Sequence, residues 1–153
     1  MMILRSMTNS IKVMLGILLS MTFLFSQEIN YQTAKLYKDD ISSKKAYEMQ
    51  QNGALLIDVR TKAEFNESRA KDSYNIPIFY EKNKQRVFNK NFLKEIYLYS
   101  NKNLNRQIIL ICRSGSRTKL ASNLLASQGF KNIYNVKYGF VYDWLKVNLP
   151  ISK

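Results

Sequence analysis

Two strongly apolar runs, Ala54-Leu-Leu-Ile-Asp-Val59 and Gln107-Ile-Ile-Leu-Ile-Cys112, are the strongest constraint on how this chain folds. A strand with one face in water alternates apolar and polar residues, so runs interrupted only by Asp58 belong to strands covered on both faces. Helical patterns lie around them. Ile41 to Gly53 carries apolar residues at 46 and 49, a capping Ser42 and a terminal glycine; Leu120, Ala121, Leu124 and Leu125 recur with helical period up to Gly129. Thr61 to Glu67 and Asn91 to Tyr99 read as further helices, Tyr74 to Pro77 and Lys131 to Val136 as strands, and Tyr138 to Val147 as a closing helix around Trp144. Strands alternating with helices imply right-handed crossovers, hence an α/β fold with an open, mainly parallel sheet and helices on both faces.

The chain's 153 residues accommodate one such domain, preceded by two segments of different character. Residues 1–26 carry only Arg5 and Lys12 as charges, followed by an apolar stretch from Val13 to Phe25, and read as a signal peptide. That stretch is shorter than the roughly 20 apolar residues needed to span a bilayer, so cleavage and a periplasmic or otherwise exported location are expected, and the membrane is met only through this signal. Residues 27–38 are polar without a period and read as a tether; the domain itself is 39–153.

Composition then narrows the chemistry. With no histidine and one cysteine, Cys112, the chain has no means for Ser-His-Asp or Cys-His catalysis, a Cys/His zinc site or an internal disulfide. No metal or cofactor is called for. In doubly wound sheets ligands bind beyond the carboxyl ends of the strands, and Cys112 stands at such an end, directly before a helix. The intervening Arg113-Ser-Gly-Ser-Arg117 supplies Gly115 for tight curvature, successive amides, a helix N-terminus and two cations. Such surroundings favour a thiolate, so nucleophilic chemistry at sulfur needs no general base. Asp58, at the end of its strand, is placed to pair with Arg113 or Arg117, or to cap the next turn. Arg60 and Glu64 read as an ion pair across that turn, Arg69 as a solvated cation, and Gly139 and Trp144 as packing of the last helix.

Ile57-Asp-Val-Arg60 with Glu64-Phe65, Asn75-Ile-Pro77, Cys112-Arg-Ser-Gly-Ser-Arg117 and a Gly139 to Trp144 segment together resemble a single-domain rhodanese, a sulfurtransferase, over roughly Ile41 to Pro150. The resemblance implies a Cys112 thiolate that takes sulfur from a thiosulfate-like donor, holds it as a persulfide and passes it to cyanide, a thiol or a redox or sulfur-carrier protein. Arg113, Ser114, Gly115, Ser116 and Arg117 then form the cradle, supported by Asp58 and Arg60. The chain departs from the family pattern at Ser68-Arg-Ala70, where a Gly-His-Ile-like turn is usual, and at Tyr138-Gly-Phe140, where two glycines are usual.

Lys plus Arg number 24 against 11 Asp plus Glu, a formal charge of +13, and between Lys82 and Lys119 ten basic residues face only Glu95. This field steers small anions towards the cleft. No nucleic-acid motif accompanies it, so a nucleic-acid partner is not expected. Two alternatives stay open: a cysteine phosphatase or arsenate reductase, whose loop places five residues between Cys and Arg where this chain has four, and a non-catalytic binding or sensor module of the same fold.

Overall fold

A computed structural model describes residues 28–153; the signal-peptide reading of 1–26 falls outside them. Among the described residues no helix is long and apolar enough to cross a membrane. Residues Tyr31–Lys153 form one compact unit built on a five-stranded sheet. In chain order its elements are β1 (Asp39–Ile41), α1 (Ser43–Gln51), β2 (Leu55–Asp58), α2 (Lys62–Glu67), β3 (Arg69–Ala70), β4 (Tyr74–Asn75), β5 (Phe79–Lys82) and β6 (Gln85–Phe88). Next come α3 (Phe92–Tyr99), β7 (Ile108–Ile111), α4 (Ser116–Ser127), β8 (Ile133–Val136), a π-helical turn (Phe140–Trp144) and β9 (Ile151–Ser152).

The sheet order is β1-β8-β7-β2-β4 and every pairing within it is parallel. The two apolar runs are its inner strands, paired from Leu55↔Ile108 to Asp58↔Ile111. Successive side chains of β7 enter opposite cores, which is why the run shows no alternation. Ile108, Leu110 and Cys112 join Ile57, Val59 and residues of α3 and α4 on one face. Ile109 and Ile111 join Leu56, Ala46 of α1, Phe140 and Trp144 on the other.

Two expectations change. The stretch read as a tether is tied down from Tyr31 on: the Asn123 amide donates to the carbonyls of Tyr31 and Ala34, its oxygen accepts from Leu36 N at 2.7 Å, and Tyr37 is buried. The closing helix is a single π turn. Leu145 N reaches back five residues to Phe140 O, which lets Phe140 and Trp144 both point inward while Tyr142 stays in water.

The hairpin β5/β6 and the small antiparallel pair β3/β9 have no counterpart in the sequence reading. The hairpin lacks the glycine that marks such turns, yet Asn83 and Lys84 both take positive φ, 51° and 61°, as a type I′ turn requires.

Candidate active site

Cys112 follows the third strand of five, at the carboxyl end of the sheet, with its side chain on the α4 face and no exposed surface. Its sulfur accepts the Gly115 amide at 3.2 Å. The Thr118 hydroxyl lies 3.5 Å from the sulfur and donates to Gly115 O at 2.9 Å. The first-turn amides of α4 have no partner within the helix, and a helix N-terminus favours negative charge near it.

Two glycines hold this loop. Gly115 has φ 91°, and a Cβ on it would overlap the carbonyl of Lys137. Gly139 has φ 67°, and its Cβ would overlap Cys112 O and approach the Arg113 carbon and Ser114 nitrogen to 2.7 Å. The amides of Phe140 and Val141 bind Cys112 O and Arg113 O at 2.7 and 3.1 Å, so the loop's carbonyls turn outward to the π turn. Gly139 is therefore part of the loop's mould rather than helix packing alone.

The ion pairs differ from the sequence reading. Asp58 pairs with Arg60, not with Arg113 or Arg117: Arg60 Nη2 lies 2.7 Å from Asp58 Oδ2, and Arg60 N donates to Oδ1, so the turn-capping reading of Asp58 holds. The reason is strand alternation. Asp58 opposes Ile111 and shares its face, whereas Cys112 faces the other core. Burial lifts the Asp58 carboxyl above the usual range against the contacts from Arg60. Arg60 also donates to Ser68 O at 2.7 Å and stacks 4.4 Å over Phe140, so it fastens the strand-end turn to the π turn.

Glu64, expected to pair with Arg60, instead receives both Arg117 nitrogens at 2.7 Å. It also closes a capping box with Thr61 at the start of α2. Burial pushes the Glu64 carboxyl up, but the bonds from Arg117 and Thr61 outweigh it and hold the group at about 2. Arg117 is raised in turn, chiefly by its bonds to Glu64. Of the five loop residues, Gly115 and Arg117 are buried, while Arg113, Ser114 and Ser116 are exposed. Arg113 forms no ion pair among the described residues and lines a recess of about 270 Å³ with Arg60, Glu64, Glu67 and Val141. Glu64, Thr118 and Gly139 are the site residues whose roles the sequence reading missed.

A depressed Glu64 contributes stability that is full above the unfolded carboxyl range, near 4.5, and is lost as pH falls towards about 2. Glu64→Gln is expected to cost about 2 kcal/mol near neutral pH, a figure already reduced for partial exposure. The gap to wild type should narrow below about pH 4.5 and close towards about pH 2. Urea unfolding across that range measures it; a gap independent of pH would refute the pairing.

The rhodanese-like domain profile matches residues 42–145. The chain belongs to the rhodanese-like domain family. An uncharacterized protein of Rickettsia prowazekii is 37% identical to this rhodanese-like domain over 120 residues, covering 72% of this chain and 94% of its own. A mitochondrial protein of Schizosaccharomyces pombe, provisionally named a thiosulfate sulfurtransferase, is 33% identical over 92 residues, 60% of this chain and 61% of its own. The crystal structure of Rv0390 from M. tuberculosis superposes with a TM-score of 0.63 at 26% identity, covering 76% of this chain and 98% of that one. Family membership carries the sulfurtransferase superfamily with it, and the α/β architecture expected from the sequence is that of the rhodanese fold.

Proposed function

We infer that this rhodanese-like domain transfers sulfane sulfur through a persulfide on Cys112, outside the cytoplasm if the 1–26 leader directs export. The observation that carries the reading is the sulfur itself: held by the Gly115 amide at 3.2 Å, at a helix N-terminus, in a loop moulded by two positive-φ glycines. The thiol loses its proton to solvent, and the thiolate attacks the outer sulfur of a thiosulfate-like donor. The donor's S–S bond breaks and sulfite leaves with the electron pair. The anionic persulfide keeps the loop's donors, and Arg113, which has no ion pair among the described residues, meets the incoming anion. Cyanide or a thiolate then attacks the outer sulfur, the pair returns to Cys112 Sγ, and the thiolate is restored.

The phosphatase alternative needs an arginine free to close over an oxyanion. Arg117 is not free, since both of its terminal nitrogens are on Glu64.

The test is mass spectrometry of the protein after excess thiosulfate without acceptor. One added sulfur atom on Cys112 with release of sulfite is expected, and cyanide should restore the original mass and yield thiocyanate. Turnover of an aryl phosphate with no sulfur adduct from any sulfane donor would overturn the reading.

A further inference from the structure

The sheet's carboxyl end carries a second surface besides the thiol. After β4 the chain runs beside the end of β2, Ile76 N donating to Asp58 O and Ile78 N to Val59 O, while Val59 N donates to Ile111 O. The hairpin β5/β6 therefore leaves the sheet at the same end as Cys112, two strand spacings away, about 10 Å. Its root is fixed by buried Asn89, which donates to Pro77 O and Ile78 O and accepts from Asn91 N.

From Tyr80 to Phe88 every residue is exposed, on both faces of the ribbon. A two-stranded ribbon in water has little holding it, so keeping exposed aromatics there points to a partner. Lys82, Lys84, Arg86 and neighbouring Lys90 stand against Glu81 alone, and none forms an ion pair among the described residues. At the ribbon's root lies a cleft of about 470 Å³ lined by Lys62, Phe65, Arg69, Tyr74 and Tyr80 among others, with no carboxylate in its wall. Helix α2 divides it from the active-site recess: Glu64 and Glu67 face the recess, and Lys62, Phe65 and Asn66 face the cleft. Arg69 stacks 4.9 Å over Phe65 and, like Lys62, has no ion pair among the described residues.

We propose that the β5/β6 ribbon and the cleft at its root are the docking surface for an acidic protein that exchanges sulfur with Cys112. A protein fits better than an anionic membrane because the apolar residues Tyr80, Val87 and Phe88 sit near the root and the charges at the tip. Membrane insertion wants the reverse, whereas protein interfaces put aromatics at the centre and charge at the rim. The partner's thiolate attacks the outer persulfide sulfur, the bond to Cys112 Sγ breaks, and the electron pair stays on Cys112, with no net redox change. The exchange step rests on the sulfur-transfer reading above; the docking does not.

The test uses a short glutamate-rich peptide with a tyrosine and a terminal cysteine, an uncharged counterpart, and cyanide as acceptors from the sulfur-loaded protein. The acidic peptide is expected to take sulfur about tenfold faster than the uncharged one at low salt, with the advantage fading at high salt. Lys82→Glu/Lys84→Glu should erase that advantage and alter cyanide turnover no more than a matched charge change elsewhere does. Lys102→Glu/Lys131→Glu, the same charge change at the opposite end of the sheet, should keep it. Fluorescence anisotropy with a labelled serine version of the acidic peptide reads docking without chemistry. Ribbon-dependent binding with no persulfide formed would sink the transfer reading and leave the docking standing. Persulfide formation with no acidic preference, or a preference equal in both double variants, would overturn the docking. So would ribbon-dependent binding to phosphatidylglycerol vesicles or duplex DNA with none to the peptide.

Discussion

Gly115→Ala is expected to lower sulfur uptake by about 10²–10³-fold, approaching the complete loss in Cys112→Ser, but through the backbone rather than through the nucleophile. At φ 91° an alanine is strained, and its Cβ would overlap Lys137 O and lie 2.8 Å from the Lys137 carbon. The strand end at Lys137 is bonded to Ile41 O and does not yield easily, so the loop moves and takes the Gly115 amide off the sulfur. Left-handed strain and lost packing together should lower Tm by about 5 °C. Cys112→Ser should show almost none of this, since a hydroxyl there still meets the Gly115 amide and the Thr118 hydroxyl. Persulfide mass spectrometry alongside thermal unfolding separates the two. Uptake near wild type in Gly115→Ala would show that the amide cradle is not what makes the sulfur reactive.

The parallel sheet was legible because burial on both faces leaves a plain mark, the missing alternation in Ala54 to Val59 and Gln107 to Cys112. Helix caps were equally plain: Ser42 accepts from Lys45 N and Thr61 from Glu64 N, as their spacing predicts. The hairpin left no mark. Its strands are exposed on both faces, so no core imposes an alternation, and its turn uses Asn83-Lys84 where a glycine would have announced it. The N-terminal stretch from Tyr31 looked like a tether for a related reason. It is held through its backbone, by the side chain of Asn123 some ninety positions away, and backbone bonds do not show in composition.

In the site, what depends on local order could be read and what depends on faces could not. The cysteine, the loop and the helix after it are contiguous, so their meeting needs no knowledge of the fold. Which acid meets which arginine depends on strand parity. Asp58 and Cys112 sit at the ends of neighbouring strands, but one position of offset turns them to opposite cores. Glu64 reaches Arg117 only because the fold brings the first turn of α2 to the first turn of α4, a contact between residues 53 apart in the chain.

That contact sets up the prediction with the sharpest contrast among variants. Arg117→Ala removes the cation but leaves the Glu64 carboxylate behind, still held by Thr61 and now unpaired beside a site that must carry negative charge. Breaking such a pair should cost about 2 kcal/mol at this partial exposure and slow thiosulfate uptake about a hundredfold at neutral pH, because Glu64 then repels both thiolate and donor. Glu64→Gln does the opposite to the field: Arg117 loses its counter-charge and faces the sulfur alone, so iodoacetamide alkylation at mildly acidic pH should speed up even as stability falls. In Glu64→Gln/Arg117→Ala both charges are gone, and uptake should recover most of what Arg117→Ala lost. Arg117→Lys, keeping charge without the two-pronged contact, should fall between Arg117→Ala and wild type. Alkylation and uptake rates across pH for the four variants decide it. If the double variant is as slow as Arg117→Ala, the carboxylate is not the brake, and Arg117 must act on the sulfur or the donor directly.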